Sequence, residues 1–189
     1  MRTRLFVFLT LMLSVFAFTP ALADKYTDTI QTFKKAGESG RFFNDSYGYA
    51  VFPTIGKGGI GIGGAHGSGH VYEKGAYVGD ASMTQVTVGF QFGGQAYSQI
   101  VFFQDKRAFD EFTSGRFEFG AQATAVAITA GASAQAGTGG TGAGASGTPD
   151  NARTAGEYQH GMAVFTVAKG GLMYEASLGG QKFGYQPKK

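Results

Sequence analysis

Between Tyr47 and Gly69 the chain reads YGYAVFPTIGKGGIGIGGAHGSG, and few folds accommodate such a run. Tyr49 to Phe52 is apolar and of β type, and Gly56, Lys57, Gly58 and Gly59 supply a turn. The return through Ile60, Gly61, Ile62 and Gly63 lacks a side chain at every second place. The segment predicts a β-hairpin with one bare face. Glycine inside a strand costs roughly 0.5–1 kcal/mol relative to alanine. Its repetition on one face implies that a backbone, a packed ring or a ligand comes too close there for a side chain.

The pattern returns late in the chain. Ala163, Val164 and Phe165 lead to Lys169, Gly170, Gly171 and Leu172, echoing Ala50, Val51 and Phe52 ahead of Lys57, Gly58, Gly59 and Ile60. Phe92-Gly93-Gly94-Gln95 is likewise echoed by Leu178-Gly179-Gly180-Gln181. Stacked repeats need at least about three units, so the copies read as two related hairpins of one sheet.

Met1 to Ala23 has the form of a cleaved export signal. Arg2 and Arg4 precede an apolar run from Leu5 to Phe18, and Ala21-Leu22-Ala23 is a small-x-small cleavage pattern. The run is shorter than the roughly 20 residues of a membrane-spanning helix. Processing would leave residues 24–189 as a single domain beginning at Asp24, and loss of Arg2 and Arg4 lowers the formal charge from +3 to +1. That balance gives no electrostatic case for nucleic acid. With no cysteine, disulfides, thiolate metal sites and a lipid-modified N-terminal cysteine are all excluded.

From Asp24 to Ala36 the spacing predicts an amphipathic helix with Tyr26, Ile30 and Phe33 on one face and Gly37 near its end. Val71 and Tyr72 pair with Ala76, Tyr77 and Val78 across a tight turn at Glu73, Lys74 and Gly75. Val86, Val88, Phe90 and Phe92 alternate with Gln85, Thr87, Gly89 and Gln91, so the apolar set should face the core and the polar set water or a polar cavity. Ile100 to Phe103 reads as a strand covered on both sides. Asp105 caps a short helix to Ser114, with Phe109 and Phe112 inward and Gly115 as its stop. Phe117 to Thr129 alternates as a strand does, and Ala130 to Pro149, almost wholly Gly, Ala, Ser and Thr, reads as a flexible loop.

No reactive constellation assembles locally. Gly59 to Gly64 fits G-x-G-x-x-G in letters, but β-type residues follow where a helix must open. His66 and His70 are four apart with glycines between them, and His160 is remote, so a histidine metal site is not expected. There is no G-x-S-x-G elbow. The chain is read as non-enzymatic, with no cofactor and no metal.

The chain carries Tyr47-Gly48-Tyr49-Ala50-Val51-Phe52-Pro53, Lys57-Gly58-Gly59, Gly63-Gly64 with Gly67-Ser68-Gly69, Gly93-Gly94-Gln95-Ala96-Tyr97-Ser98, Phe117-Glu118-Phe119-Gly120-Ala121 and Leu178-Gly179-Gly180-Gln181-Lys182-Phe183. Together these motifs resemble the SYLF-domain lipid-binding family, in its bacterial exported branch. The resemblance spans roughly Ile30 to Tyr185. It implies association with a phospholipid or membrane surface; eukaryotic members bind phosphoinositides and assist actin organisation, and an N-terminal amphipathic segment is implicated. Here that segment corresponds to Asp24 to Arg41, whose small charge excess leaves apolar insertion to carry binding.

The expected contact residues are Tyr26, Ile30, Phe33, Lys34, Lys35, Arg41, Phe42, Phe43 and the turn residue Lys57. The expected location is the periplasm or cell envelope. The alternative is an envelope scaffold that engages a protein partner through edge strands, without direct lipid binding. An outer-membrane barrel fits poorly with the Asp105 helix and the lack of tryptophan. The expected fold is α+β and β-rich: a mostly antiparallel twisted sheet, or partly closed barrel of hairpins, with two or three short helices.

Overall fold

The computed structural model describes residues 22–89, 95–120, 125–128, 157–169 and 178–189. Most of the expected leader, the Ala130 to Pro149 loop, Phe90, Phe92 and the return arm of the second hairpin lie outside the described residues.

Strand β3 (Gln95–Phe103) runs through the middle of the sheet. Its Ile100, Val101, Phe102 and Phe103 are fully buried because both faces are covered, as a continuous apolar run demands. Val101 and Phe103 join an inner core with Phe52, Ile55, Met83, Phe112 and Phe183. Ile100 and Phe102 join an outer core with Tyr26, Ile30, Phe33, Phe42 and Phe165. At roughly 1.5–3 kcal/mol for each large apolar side chain fully buried, the two layers supply the main drive to fold.

The glycine-rich segment is one continuous extended stretch, β1 (Gly48–Glu73), folded back on itself. A Cβ on Gly67 would lie 3.0 Å from the Thr54 carbonyl oxygen, one on Gly69 2.8 Å from that of Val51, and one on Gly59 against Gly63. The segment therefore does fold back, but it reverses at Gly59 to Gly63 and its two arms form their ladders with β3 and β2. Gly56 and Lys57, expected in the turn, still pair with Ala96 and Gln95 of β3. Gly59, with φ of +146°, takes a conformation that a side chain rarely adopts.

The early arm of β1 pairs with β3 and the late arm with β2 (Ala76–Gly89). Beyond β2 lies β7 (Gln181–Pro187) and beyond β3 lies β6 (Met162–Lys169), with β4 (Phe117–Glu118) and β5 (Val126–Ile128) at the two edges. The order β4-β7-β2-β1-β3-β6-β5 is antiparallel except at β5–β6, and the sheet curls into a half-barrel around the inner core. Phe117 to Thr129, expected as one strand, thus supplies short strands to opposite edges. β6 and β7, which flank the expected second hairpin, lie on opposite sides of β1.

The bare face is explained by a ring. A Cβ on Gly69 would fall 2.6 Å from Phe52 Cδ1, and one on Gly67 2.6 Å from Ile55 Cγ1. The inner core takes its bulk from the early arm and its clearance from the late arm. The alternation in β2 runs opposite to expectation: Ala81, Met83 and Gln85 point inward, whereas Val86 is 74% exposed. Gln85 is tolerated inside because its amide donates to the Gly179 carbonyl at 2.9 Å. Gln99 and Gln181, also fully buried, exchange hydrogen bonds at 3.0 and 3.2 Å, and Gln181 donates on to the Tyr97 hydroxyl.

Among the described residues four helical segments complete the fold. α1 (Leu22–Lys35) lies on the outer face, and α2 (Gly37–Gly40) and α3 (Phe42–Asp45) are single turns that continue from it. α4 (Lys106–Thr113) covers the inner core with Phe109 and Phe112. Its cap is the expected one, the Asp105 carboxylate accepting from the Ala108 amide at 2.9 Å.

Candidate functional site

The helical spacing of Tyr26, Ile30 and Phe33 aims that face of α1 at the sheet, where all three are buried. Tyr26 stacks on His70 with ring centroids 3.5 Å apart and planes within 6°. Phe42, at the start of α3, is buried against Phe102, Phe165 and Tyr158. Four of the nine expected contact residues therefore hold α1 and α3 to the sheet. They meet lipid only if that packing opens.

The other expected residues divide by position. Lys34, Lys35 and Arg41 are exposed where α1 passes into α3, and Phe43 is half-buried between Tyr49 and Phe102. Lys57 lies far along β1, opposite Gln95. Near it, Lys169 is tied to the Thr54 hydroxyl at 2.8 Å. The helical corner is thus one surface and Lys57 belongs to another.

At that corner a pocket of about 440 Å³ opens between the helices and the β1–β2 turn. Lys34, Gly40, Phe43, Asn44 and Ser46 form one side, and Tyr47, Gly48, Tyr49, Lys74 and Gly75 form the other. The turn is built as its sequence dictates, since Lys74 and Gly75 both take positive φ, 48° and 84°, between paired Glu73 and Ala76. The Lys74 amide donates to the Tyr47 carbonyl at 3.0 Å, which pins the turn to the strand that leads into the pocket.

The pocket carries cationic charge. Lys34 Nζ rests 5.3 Å from the centre of the Phe43 ring, and Lys74 Nζ rests 5.3 Å from that of Tyr47. Among the described residues neither ammonium has a carboxylate partner; the ion pairs of the surface involve Lys106, Arg107, Lys182 and His70. No carboxylate lines the pocket. The nearby Glu73 accepts the Tyr47 hydroxyl, a bond that raises the phenol's pKa. Burial, with Tyr72 beside it, pushes Tyr49 up to about 12, so its ring enters the wall as a neutral, largely apolar surface. The result is an aromatic recess with two unneutralised cations, suited to binding an anion.

Sequence reasoning found Lys34 and Phe43 but not Lys74, Tyr47 or Ser46. The Glu73-Lys74-Gly75 turn was legible as a turn; that it comes to rest against the end of α1 depends on the hairpin folding back over its full length. Among the described residues no cluster of histidine, aspartate or glutamate could hold a metal.

The description "Ysc84: Las17-binding protein actin regulator" belongs to the family whose model matches residues 84–187. That match takes in the sheet from Thr84 of β2 onward and begins after the pocket residues. A curated relative, "Beta cell expansion factor A" from Aeromonas veronii, is 25% identical over 166 residues, covering 83% of this chain and 52% of the relative. The chain therefore spans about half the length of that relative.

Proposed function

Because this chain belongs to the Ysc84 family, the SYLF grouping that its motifs resemble, we propose that it is a non-catalytic lipid- or membrane-binding protein, exported through a cleaved leader to the cell envelope. The observation that carries the reading is the helical corner: Lys34 lies over the half-buried Phe43 and Arg41 over Phe42, and Lys34, Lys35 and Arg41 are all exposed, so the corner combines cationic groups with an aromatic edge. Such a surface attracts anionic lipid at about 1 kcal/mol per basic residue while a ring sits at headgroup depth. Protein-partner binding, which the words "Las17-binding protein" in the family description name, is the alternative use of the same corner.

Flotation of residues 24–189 with phosphatidylglycerol vesicles tests the reading. Wild type should float, and the double variant Lys34→Glu, Lys35→Glu should not; both side chains are exposed, so the variant folds normally. Absence of wild-type flotation removes the lipid reading. Fractionation of cells, with N-terminal sequencing of the processed chain, tests export; a chain retained inside and beginning at Met1 refutes it.

A further inference from the structure

The pocket pairs two elements far apart in sequence, the last turn of α1 and the β1–β2 turn, and each contributes one ammonium. We infer that it is a seat for a phosphate group, gripped by Lys34 from one side and Lys74 from the other. This rests on the lipid reading where the phosphate is a headgroup, and it stands without that reading where the phosphate is free.

The chemistry follows from the kind of cation present. The flat fork of a guanidinium meets carboxylate and phosphate alike, whereas the cations lining this pocket are both lysines. Two separate ammonium groups are point charges with rotatable donors, which suit a tetrahedral anion whose oxygens point in several directions. Ser46 and Asn44 in the same lining add neutral donors.

The surroundings keep the charge positive. The carbonyl end of a helix ordinarily repels an anion. Here the Ser39 hydroxyl donates to the Phe33 carbonyl at 2.6 Å and the Ala36 amide to that of Thr32 at 3.2 Å, so those oxygens are already occupied. Glu73, the carboxylate next in sequence to Lys74, is engaged with the Tyr47 hydroxyl. Both lysine heads are held over rings that belong to the lining, which keeps them near the pocket without neutralising them.

The test uses Lys74→Asn in residues 24–189. Asparagine suits the positive φ of 48° at this position, and Asn-Gly is a favoured hairpin turn, so the variant keeps the fold and loses the charge. Lys182→Gln, exposed on β7 and outside the pocket, is the control. In amide NMR, inorganic phosphate should shift Lys34, Ser46 and Lys74 in wild type and leave Lys34 and Ser46 unmoved in Lys74→Asn. On phosphatidylglycerol vesicles Lys74→Asn should bind about fivefold more weakly than wild type or Lys182→Gln. Phosphate shifts without wild-type flotation support the seat and sink the lipid reading. Flotation with no phosphate response and full binding by Lys74→Asn overturns the seat and leaves the lipid reading standing. Loss of binding in Lys182→Gln equal to that in Lys74→Asn also overturns it, because diffuse surface charge then suffices.

Discussion

Replacing Gly69 by alanine adds one methyl group at a crowded point of the inner core. The new carbon would start 2.6 Å from Phe52 Cδ1, 2.7 Å from Cε1 and 2.8 Å from the Val51 carbonyl oxygen, whereas ordinary contact begins at 3.4 Å. Phe52 is fully buried and its ring already packs against Phe183, with centroids 5.6 Å apart, so it has little room to retreat. The carbonyl oxygen belongs to a paired strand and moves only with the backbone. Overpacking of this kind costs about 1–3 kcal/mol. Glycine-to-alanine replacement returns about 0.4–1 kcal/mol by restricting the unfolded chain. The net loss should be up to about 2.6 kcal/mol, which for a chain of this size lowers the melting temperature by up to about 10 °C.

Gly64, on the same arm but the opposite face, supplies the contrast. A Cβ there meets only the Gln85 carbonyl oxygen at 3.6 Å, so Gly64→Ala should leave stability unchanged or raise it by up to about 1 kcal/mol. Calorimetry of the two variants beside wild type reads the difference directly. Should Gly69→Ala melt at or above Gly64→Ala, the explanation of the bare strand face by ring packing is wrong. A rescue adds specificity: Phe52→Leu in the Gly69→Ala background should cost less than the two changes do separately, because they share one space.

Phe33→Ala should cost about 3–5 kcal/mol in urea unfolding, since Phe33 is fully buried between α1 and the sheet; a loss below about 1 kcal/mol would mean that α1 is not part of the packed core. Asp105→Ala removes the cap of α4 and should cost about 1 kcal/mol, with faster hydrogen exchange at Ala108 as the local sign. His70, half-buried between Tyr26, Tyr72, Tyr77 and Asp80 with Lys25 nearby, has its pKa lowered chiefly by partial burial. The unfolded chain then binds the proton more readily, so this contribution is complete above the ordinary value near 6.5 and is lost as pH falls below it. Unfolding followed from pH 7.5 to 5 should show that loss, and His70→Gln should flatten the dependence. Val86→Thr and Ile62→Thr should each change stability by less than about 0.5 kcal/mol, because both side chains are exposed; a core-sized loss would restore the opposite facing of β2.

Local chemistry sufficed for much of the molecule. The doubly buried run in β3, the Asp105 cap, the turn at Lys74-Gly75 and the inward face of α1 each follow from neighbours within a few residues. The repeated glycines also announced a close approach, though not the identity of what approaches. Their partner, Phe52, lies 17 residues before Gly69 along a chain that must first reverse.

What the sequence determined by itself was the inventory: a cysteine-free, glycine-rich, β-forming chain with one amphipathic helix near its start and the motifs of its family. Tertiary structure alone decided which way β2 faces, where the hairpin reverses and which residues share the cationic pocket. The physical reason is that a strand's periodicity is two, so alternation marks two faces without saying which is inside; that choice falls to the partner with bulk to bury. In the same way Lys34 and Lys74 become neighbours only because the folded-back hairpin carries its closing turn to the end of α1.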